Sequence, residues 1–219
     1  MGKNKPRPAK GQQPVSSTPS WRTEQQEGVE TPVFFWKPNE DWGFMGQWYL
    51  EPIIDPTTKQ TFNCNEQYMM YHKAMTFNDD TSAQKVLETD SPREQKDLGR
   101  KVSGFDEHKW DECKLEIVVT ANLMKFSQGT TRKDDSFVYP PNGHVQGQEE
   151  ISLKELLLST GDRELVEASA RDRVWGIGFS PEKAVHVPRY KWGKNLLGKA
   201  LMEVRARLIR EEEQGLNDG

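Results

Sequence analysis

Cysteine and histidine are scarce: the 219 residues contain two Cys, at 64 and 113, and four His. Two thiols, each set in a helix-like pattern, exclude a disulfide framework, and they read as structural side chains of a reducing compartment. No His or Cys pair stands at metal-ligand spacing, so neither a metal site nor a cofactor is expected. Long apolar runs are missing too. No stretch approaches the roughly 18 residues of a membrane span, and the N-terminus lacks the apolar centre of a secretory signal. "MGKNKP" opens like a myristoylation site, but Pro6 stands where Ser or Thr is expected. These absences predict a cytoplasmic or nuclear chain with no membrane and no stable protein partner. Nor is there an excess of positive charge: 30 Lys and Arg against 34 Asp and Glu leave a net charge of -4. That argues against a general nucleic-acid binder, which needs a cationic surface to displace counterions, and leaves a nucleotide-sized ligand open.

What is abundant is aromatic. Seven Trp, nine Phe and five Tyr fall mostly after Val33, enough for a core with polar appendages. Residues 1–31 are rich in Pro, Gln, Ser and Lys and read as a disordered leader. Its start carries Lys3, Lys5, Arg7 and Lys10 without an acid, in the manner of a solubilising tail, with a weak nuclear or RNA-contacting arm as the other reading. Residues 32–210 form the expected single domain. Within it, 127–150 is polar and punctuated by Pro140, Pro141 and glycines, and reads as an inserted loop. Residues 211–219 read as a fraying tail.

From Val33 to Phe62 the pattern predicts short strands broken by turns, with "DPTTKQ" as a hairpin loop. Helices follow. Asn63 leads Glu66 by three, Ser91 precedes Pro92 and leads Glu94 by three, and Ser152 leads Glu155 by three. Each resembles an N-cap with its capping-box partner, so starts are expected near 64, 92 and 153. Trp110, Cys113, Ile117, Ala121 and Met124 make one helical stripe, and Leu197, Leu201, Val204 and Leu208 another.

In "CNEQYMMYHKAM" a core stripe of Cys64, Tyr68, Tyr71 and Met75 faces one way, while Glu66 and Lys73 lie about 20° apart on the opposite side, beside Met70 and Phe77. Glu66 is open to two readings. It is the third-position partner of a capping box on a solvated face, or it belongs with Lys73 to a pocket on a helix covered from both sides.

"NEQYMMYHKAM", "DLGRKV", "LKELLLSTGDRELVEASARDRVWGIGF" and "GKNLLGKALMEVR" together, and in this order, resemble the NADAR (YbiA-like) family. The matching positions are Glu66 and Lys73; Gly99 and Arg100; Thr160, Gly161 and Asp162; Asp172 through Gly176; and Gly193 through Gly198. The similarity spans about residues 33 to 209 apart from the loop after Ser127. It implies a mainly α fold, a compact multihelical single domain with a few short strands near its N-terminal side. It also implies an N-glycosidase that cleaves the bond between a base and a ribose, in riboflavin-pathway intermediates or ADP-ribosylated guanine. The expected partner is therefore a nucleotide-like small molecule or ADP-ribosylated nucleic acid. "GFMGQWYLEP" departs from the Ser-Asn-Phe-Tyr-like run of many relatives, which bears on substrate choice.

Cleaving a ribosyl C–N bond builds positive charge on the sugar and negative charge on the base, so the site needs carboxylates and a proton donor. Glu66 and Asp172 are the expected pair. Lys73, with a depressed pKa, is a candidate nucleophile that holds the opened sugar as an imine; water attack is the other route. Trp175 and Trp110 are candidate stacking faces for the base, with core packing as the other reading of Trp110. Arg100 suits a phosphate, with a surface salt bridge as its other reading. Gly176 permits close backbone approach to a ligand, or only a turn, and Asn195 either contacts the ligand or caps the last helix. The competing class is a module that binds ADP-ribose or a related nucleotide without cleaving it. A scaffold protein working through its leader and loop is a third.

Overall fold

Helix initiation sets the frame of the molecule. The computed structural model describes residues 31–130 and 152–217. Residues 1–30 of the expected leader, 131–150 of the expected loop and the last two residues lie outside the described residues. Three short strands come first: β1 (Val33–Phe35), β2 (Ile53–Ile54) and β3 (Thr61–Phe62). Helices α1 (Asn65–Thr76), α2 (Asp80–Glu88), α3 (Pro92–Gly99), α4 (Glu107–Gln128) and α5 (Leu153–Leu158) follow. Strand β4 (Leu165–Glu167), a short α6 (Pro181–Ala184) and the long α7 (Leu196–Asn217) complete the order. The expected mainly α architecture is present. Helix α7 runs through Asn217, into the stretch read as a fraying tail, and α4 runs one residue past the expected start of the loop at Ser127.

β2 and β3 pair antiparallel as the hairpin around "DPTTKQ". The Asp55 carboxylate closes the turn by accepting the amides of Thr57 (2.8 Å) and Thr58 (3.2 Å). β4 is a strand the sequence did not announce. It pairs parallel with β1, placing Phe35 opposite Glu167. A three-residue strand is too short to show alternation, so β4 reads as the loop around it until its partner is known.

Two of the three expected caps hold in part or whole. Ser152 and Glu155 form a complete capping box. Ser91 accepts the Glu94 amide, but the Glu94 carboxylate takes the Thr89 hydroxyl instead of the N-cap amide. The third fails: α1 starts after Cys64 with no side-chain cap, and the Asn63 side-chain Nδ2 donates to the Asp90 carbonyl. The Glu66 carboxylate is thereby released from capping.

Helix α1 lies at the centre, packed against α2, α3 and α4, and α4 packs in turn on α7. α1 buries residues all round, including Asn65, Glu66, Gln67, Met69 and Met70. The expected stripe is correct at Cys64 and Tyr68, but Met75 is 41% exposed. The buried side has rotated by the last turn, where Ala74 packs with Ala83 and Val102. Gly99 allows α3 to come this close, since a Cβ there would sit 2.0 Å from Met70 Sδ. In α4 the expected stripe is a margin of a wider buried face that includes Lys114, Val118, Asn122 and Lys125. The α7 stripe, Leu197, Leu201, Val204 and Leu208, is buried as expected.

Candidate active site

Helix α1 carries Glu66 in its first turn, where the backbone amide donates to the Gln47 carbonyl at 3.0 Å. The side chain is buried and takes a hydrogen bond from the Trp48 indole. Burial pushes its carboxyl up to about 7; Lys96, the Trp48 bond and Arg100 favour the anion, while Asp172 opposes it. Trp48 stands at the surface, 37% exposed, with the Lys96 ammonium 5.8 Å from its ring. Lys96 and Arg100 share one side of α3 because they are four apart. Arg100 is exposed and also pairs with Asp97 at 2.9 Å.

Two turns along α1, Lys73 is half-buried. Its ammonium sits 4.2 Å from the Phe105 ring centroid and 5.7 Å from that of Trp110. Burial draws its pKa below the usual lysine range, and the charge of Glu66 works the other way. Trp110 is itself buried in the main core, so it forms the floor beneath Lys73, whereas Phe105 is 46% exposed at the rim.

Asp172 and Trp175 come from the turn after β4. Asp172 Oδ1 accepts the amides of Val174 (2.9 Å) and Trp175 (2.8 Å), which orients the carboxylate and fixes the start of the Trp-Gly turn. Trp175 is half-buried and rests against the core. Gly176 is needed for packing: a Cβ would lie 2.7 Å from the Glu167 carbonyl and 3.2 Å from that of Asp172. The side chain of Asn195, expected to cap α7 or contact ligand, is bonded to the backbone of β4. Its Oδ1 accepts the Glu167 amide (3.0 Å) and its Nδ2 donates to the Leu165 carbonyl (2.9 Å), so a side-chain amide acts as an extra strand for β4. The backbone at Asn195 is left-handed, with φ of 50°, a conformation asparagine tolerates better than most residues.

Residues 34–209 match the model of the NADAR domain. The chain belongs to the NADAR family. It is 41% identical over 150 residues to "N-glycosidase R617" of Acanthamoeba polyphaga mimivirus, covering 68% of this chain and 73% of that one. It is 28% identical over 180 residues to "Riboflavin biosynthesis protein VVA0006" of Vibrio vulnificus, covering 82% of this chain but 39% of that longer protein. The NMR structure of the E. coli protein YbiA superposes with a TM-score of 0.59 at 26% identity, covering 83% of this chain and 87% of YbiA.

The NADAR fold thus brings Glu66, Lys73, Arg100 and Asp172 to one region, with Trp110 below and Trp175 beside it. It also brings residues that the sequence reading left out. Glu167 is the foremost of them: its carboxyl feels the charges of Asp172, Lys96 and Glu66, and burial with the two acids pushes it up to about 8. Its Oε2 is buried with no hydrogen-bond partner among the described residues. Lys96, Trp48 and Phe105 are the others. Lys96 had a signal, since it precedes Arg100 by one helical turn. Glu167 had only its position five residues before Asp172, which carries no helical or strand logic until β4 is seen.

Proposed function

We propose that this NADAR-family protein is an N-glycosidase that cleaves the C–N bond between a base and a ribose in a phosphorylated or ADP-ribosylated substrate. The observation that carries the reading is the convergence of a buried carboxylate and a half-buried lysine of one helix, Glu66 and Lys73, with Asp172 from another element. Burying ionisable groups without direct pairing costs stability, and groups held at such a cost cluster at functional sites. The names of two relatives, an N-glycosidase and a riboflavin biosynthesis protein, support the same class.

In this reading the base leaves with the electron pair of the broken C–N bond, and positive charge grows at the ribose C1 and ring oxygen. Glu66, as carboxylate, stabilises that charge. The attacking group is a water, deprotonated by Glu66 or Asp172, or the neutral amine of Lys73, which then holds the opened sugar as an imine released by water. Arg100 and Lys96 lie on the side suited to a phosphate. Trp175, with Trp48 and Phe105 at the rim, offers aromatic faces to the base.

The test is release of free base and sugar product from ADP-ribosylated guanine in DNA and RNA and from phosphorylated riboflavin precursors. Wild type is compared with Glu66→Gln and Lys73→Ala. Cleavage of one substrate, lost in both variants, supports the reading and identifies the target. Reduction with cyanoborohydride during turnover separates the routes, since only the imine leaves a stable sugar adduct on Lys73. Cleavage of none, with tight ADP-ribose binding by calorimetry, replaces the enzyme by a nucleotide-binding module.

A further inference from the structure

Three carboxyl groups meet at the site, and the hydrogen bonds divide them unequally. Glu66 receives the Trp48 indole N–H and has Lys73, Lys96 and Arg100 around it. Asp172 receives two backbone N–H groups at 2.9 and 2.8 Å. Both are therefore served by donors as carboxylates. Glu167 is served less well: its Oε2 is buried without a hydrogen-bond partner among the described residues, and two of the charges it faces are those of the other acids, with Lys96 as the opposing cation. A third negative charge there would be opposed by its neighbours and, at Oε2, unsupported by a donor among the described residues, whereas a carboxylic acid brings its own donor.

The backbone holds Glu167 firmly in this position. Its amide is bonded to the Asn195 side chain, its carbonyl accepts the Ile177 amide at 3.0 Å, and Gly176 lies flat against that carbonyl. Parallel pairing with β1 sets Glu167 opposite Phe35 and closes the remaining edge. Such bracing on both sides of one peptide fixes a side chain whose Oε2 has no hydrogen-bond partner among the described residues.

We infer that Glu167 is the general acid of the site, carrying the proton that the departing base nitrogen receives, while the donor-served Glu66 and Asp172 act as the carboxylates of the step. This rests on the glycosidase reading. In the step, the C1–N bond breaks with its electron pair on nitrogen, the Glu167 O–H proton moves to that nitrogen, and Glu167 becomes a carboxylate. Water, or the Lys73 amine, forms the new bond to C1. The proton released by the attacking group to Glu66 or Asp172 restores Glu167 through the site before the next turnover. Placing acid and anion on different elements, β4 and α1, puts opposite protonation states on two sides of one bond.

The experiment uses the full chain and the substrate that wild type cleaves in the panel above. Wild-type kcat/KM is expected to fall on the alkaline side with an apparent pKa of about 8, the range to which Glu167 is pushed. Glu167→Gln is expected to lose at least about 100-fold in kcat with KM little changed, and to lose that alkaline limb. Wild-type activity in Glu167→Gln, or a loss of rate that leaves the limb in place, overturns the assignment while the glycosidase reading stands. Cleavage of nothing by wild type removes both. In parallel, carbon-13 carboxyl NMR of glutamate-labelled wild type is expected to show one resonance, absent from Glu167→Gln, still protonated at neutral pH. If Glu167→Gln does not fold, Glu167→Asp assigns the resonance; a Glu167 carboxyl already ionised at pH 6 overturns the inference by itself.

Discussion

Asn65 and Glu66 are neighbours on α1 and both are buried, yet they face interiors of opposite kind. Asn65 belongs to a polar knot between α1, α4 and the turn before β2. Its Nδ2 donates to Asn122 Oδ1 (2.8 Å), and Asn122 Nδ2 donates to Gln47 Oε1 (3.2 Å) and the Val118 carbonyl (2.8 Å). One turn on, fully buried Lys125 donates to the Gly46 carbonyl at 2.9 Å and lies 5.3 Å from the Tyr49 ring. In that knot Asn65 Oδ1 is the one side-chain atom among these residues left buried without a partner. The Glu66 side also leaves one buried oxygen unserved, but there it belongs to the ionisable Glu167 among two further acids, and a lysine faces aromatic rings in place of a hydrogen-bond partner. Buried polar groups that satisfy each other fix an architecture, and groups left short are available to a ligand. The two regions are therefore separable by mutation.

The sharpest way to break this contrast is Glu66→Gln. Activity is expected to drop by at least about 100-fold with the melting temperature kept or raised, because the substitution removes a buried charge and keeps its shape. A capping role would instead cost about 1 kcal/mol of stability and leave turnover intact. On the other side, Lys125→Ala is expected to lose about 3 kcal/mol in urea unfolding, from a core cavity and an orphaned Gly46 carbonyl, with normal turnover by the folded fraction. Activity lost in proportion to no change in stability would place Lys125 in the site after all.

The pH dependence of stability distinguishes the regions by sign. Glu66 and Glu167 are raised from about 4.5 to about 7 and about 8, so the folded protein binds the extra protons. Their contribution is fully present below pH about 4.5 and is lost as pH rises through about 7 to 8. Lys125 is lowered from 10.5 to about 7, because burial penalises its charge. There the unfolded chain binds more protons, so stability rises from pH about 7 to about 10.5. Urea unfolding from about pH 5 to 10 is expected to show both slopes, with Glu167→Gln flattening the first and Lys125→Met the second. The smallest effect is expected from Trp48→Phe. It keeps the ring but removes the indole donor to Glu66, costing roughly tenfold in kcat, as one hydrogen bond to a charged group is lost.

How far these features were legible depends on whether a residue's partner is near it in sequence. The Ser152–Glu155 capping box, the hairpin at Asp55 and the α7 stripe are local, so three- and four-residue spacings declare them. The role of Lys125 was hidden because a lysine in a helix reads as solvent-facing, and its partner is the carbonyl of Gly46. Asn63 shows the opposite error. The local pattern for a cap was present, and a contact with Asp90 took its side chain away.

By itself the sequence determined the family, the helices that follow Phe62 and the shared face of Glu66 and Lys73 on the first of them, because periodicity and ordered motifs survive without coordinates. Only the tertiary structure decided that Glu66 is free of capping duty and that Asn195 serves β4. It alone placed Glu167 beside Asp172 and Glu66. The physical reason is that burial and electrostatic neighbourhood are properties of packed elements. β4 is held by β1, far away in the chain, and by an asparagine at the head of α7, so the chemistry of its last residue exists only once all three have met.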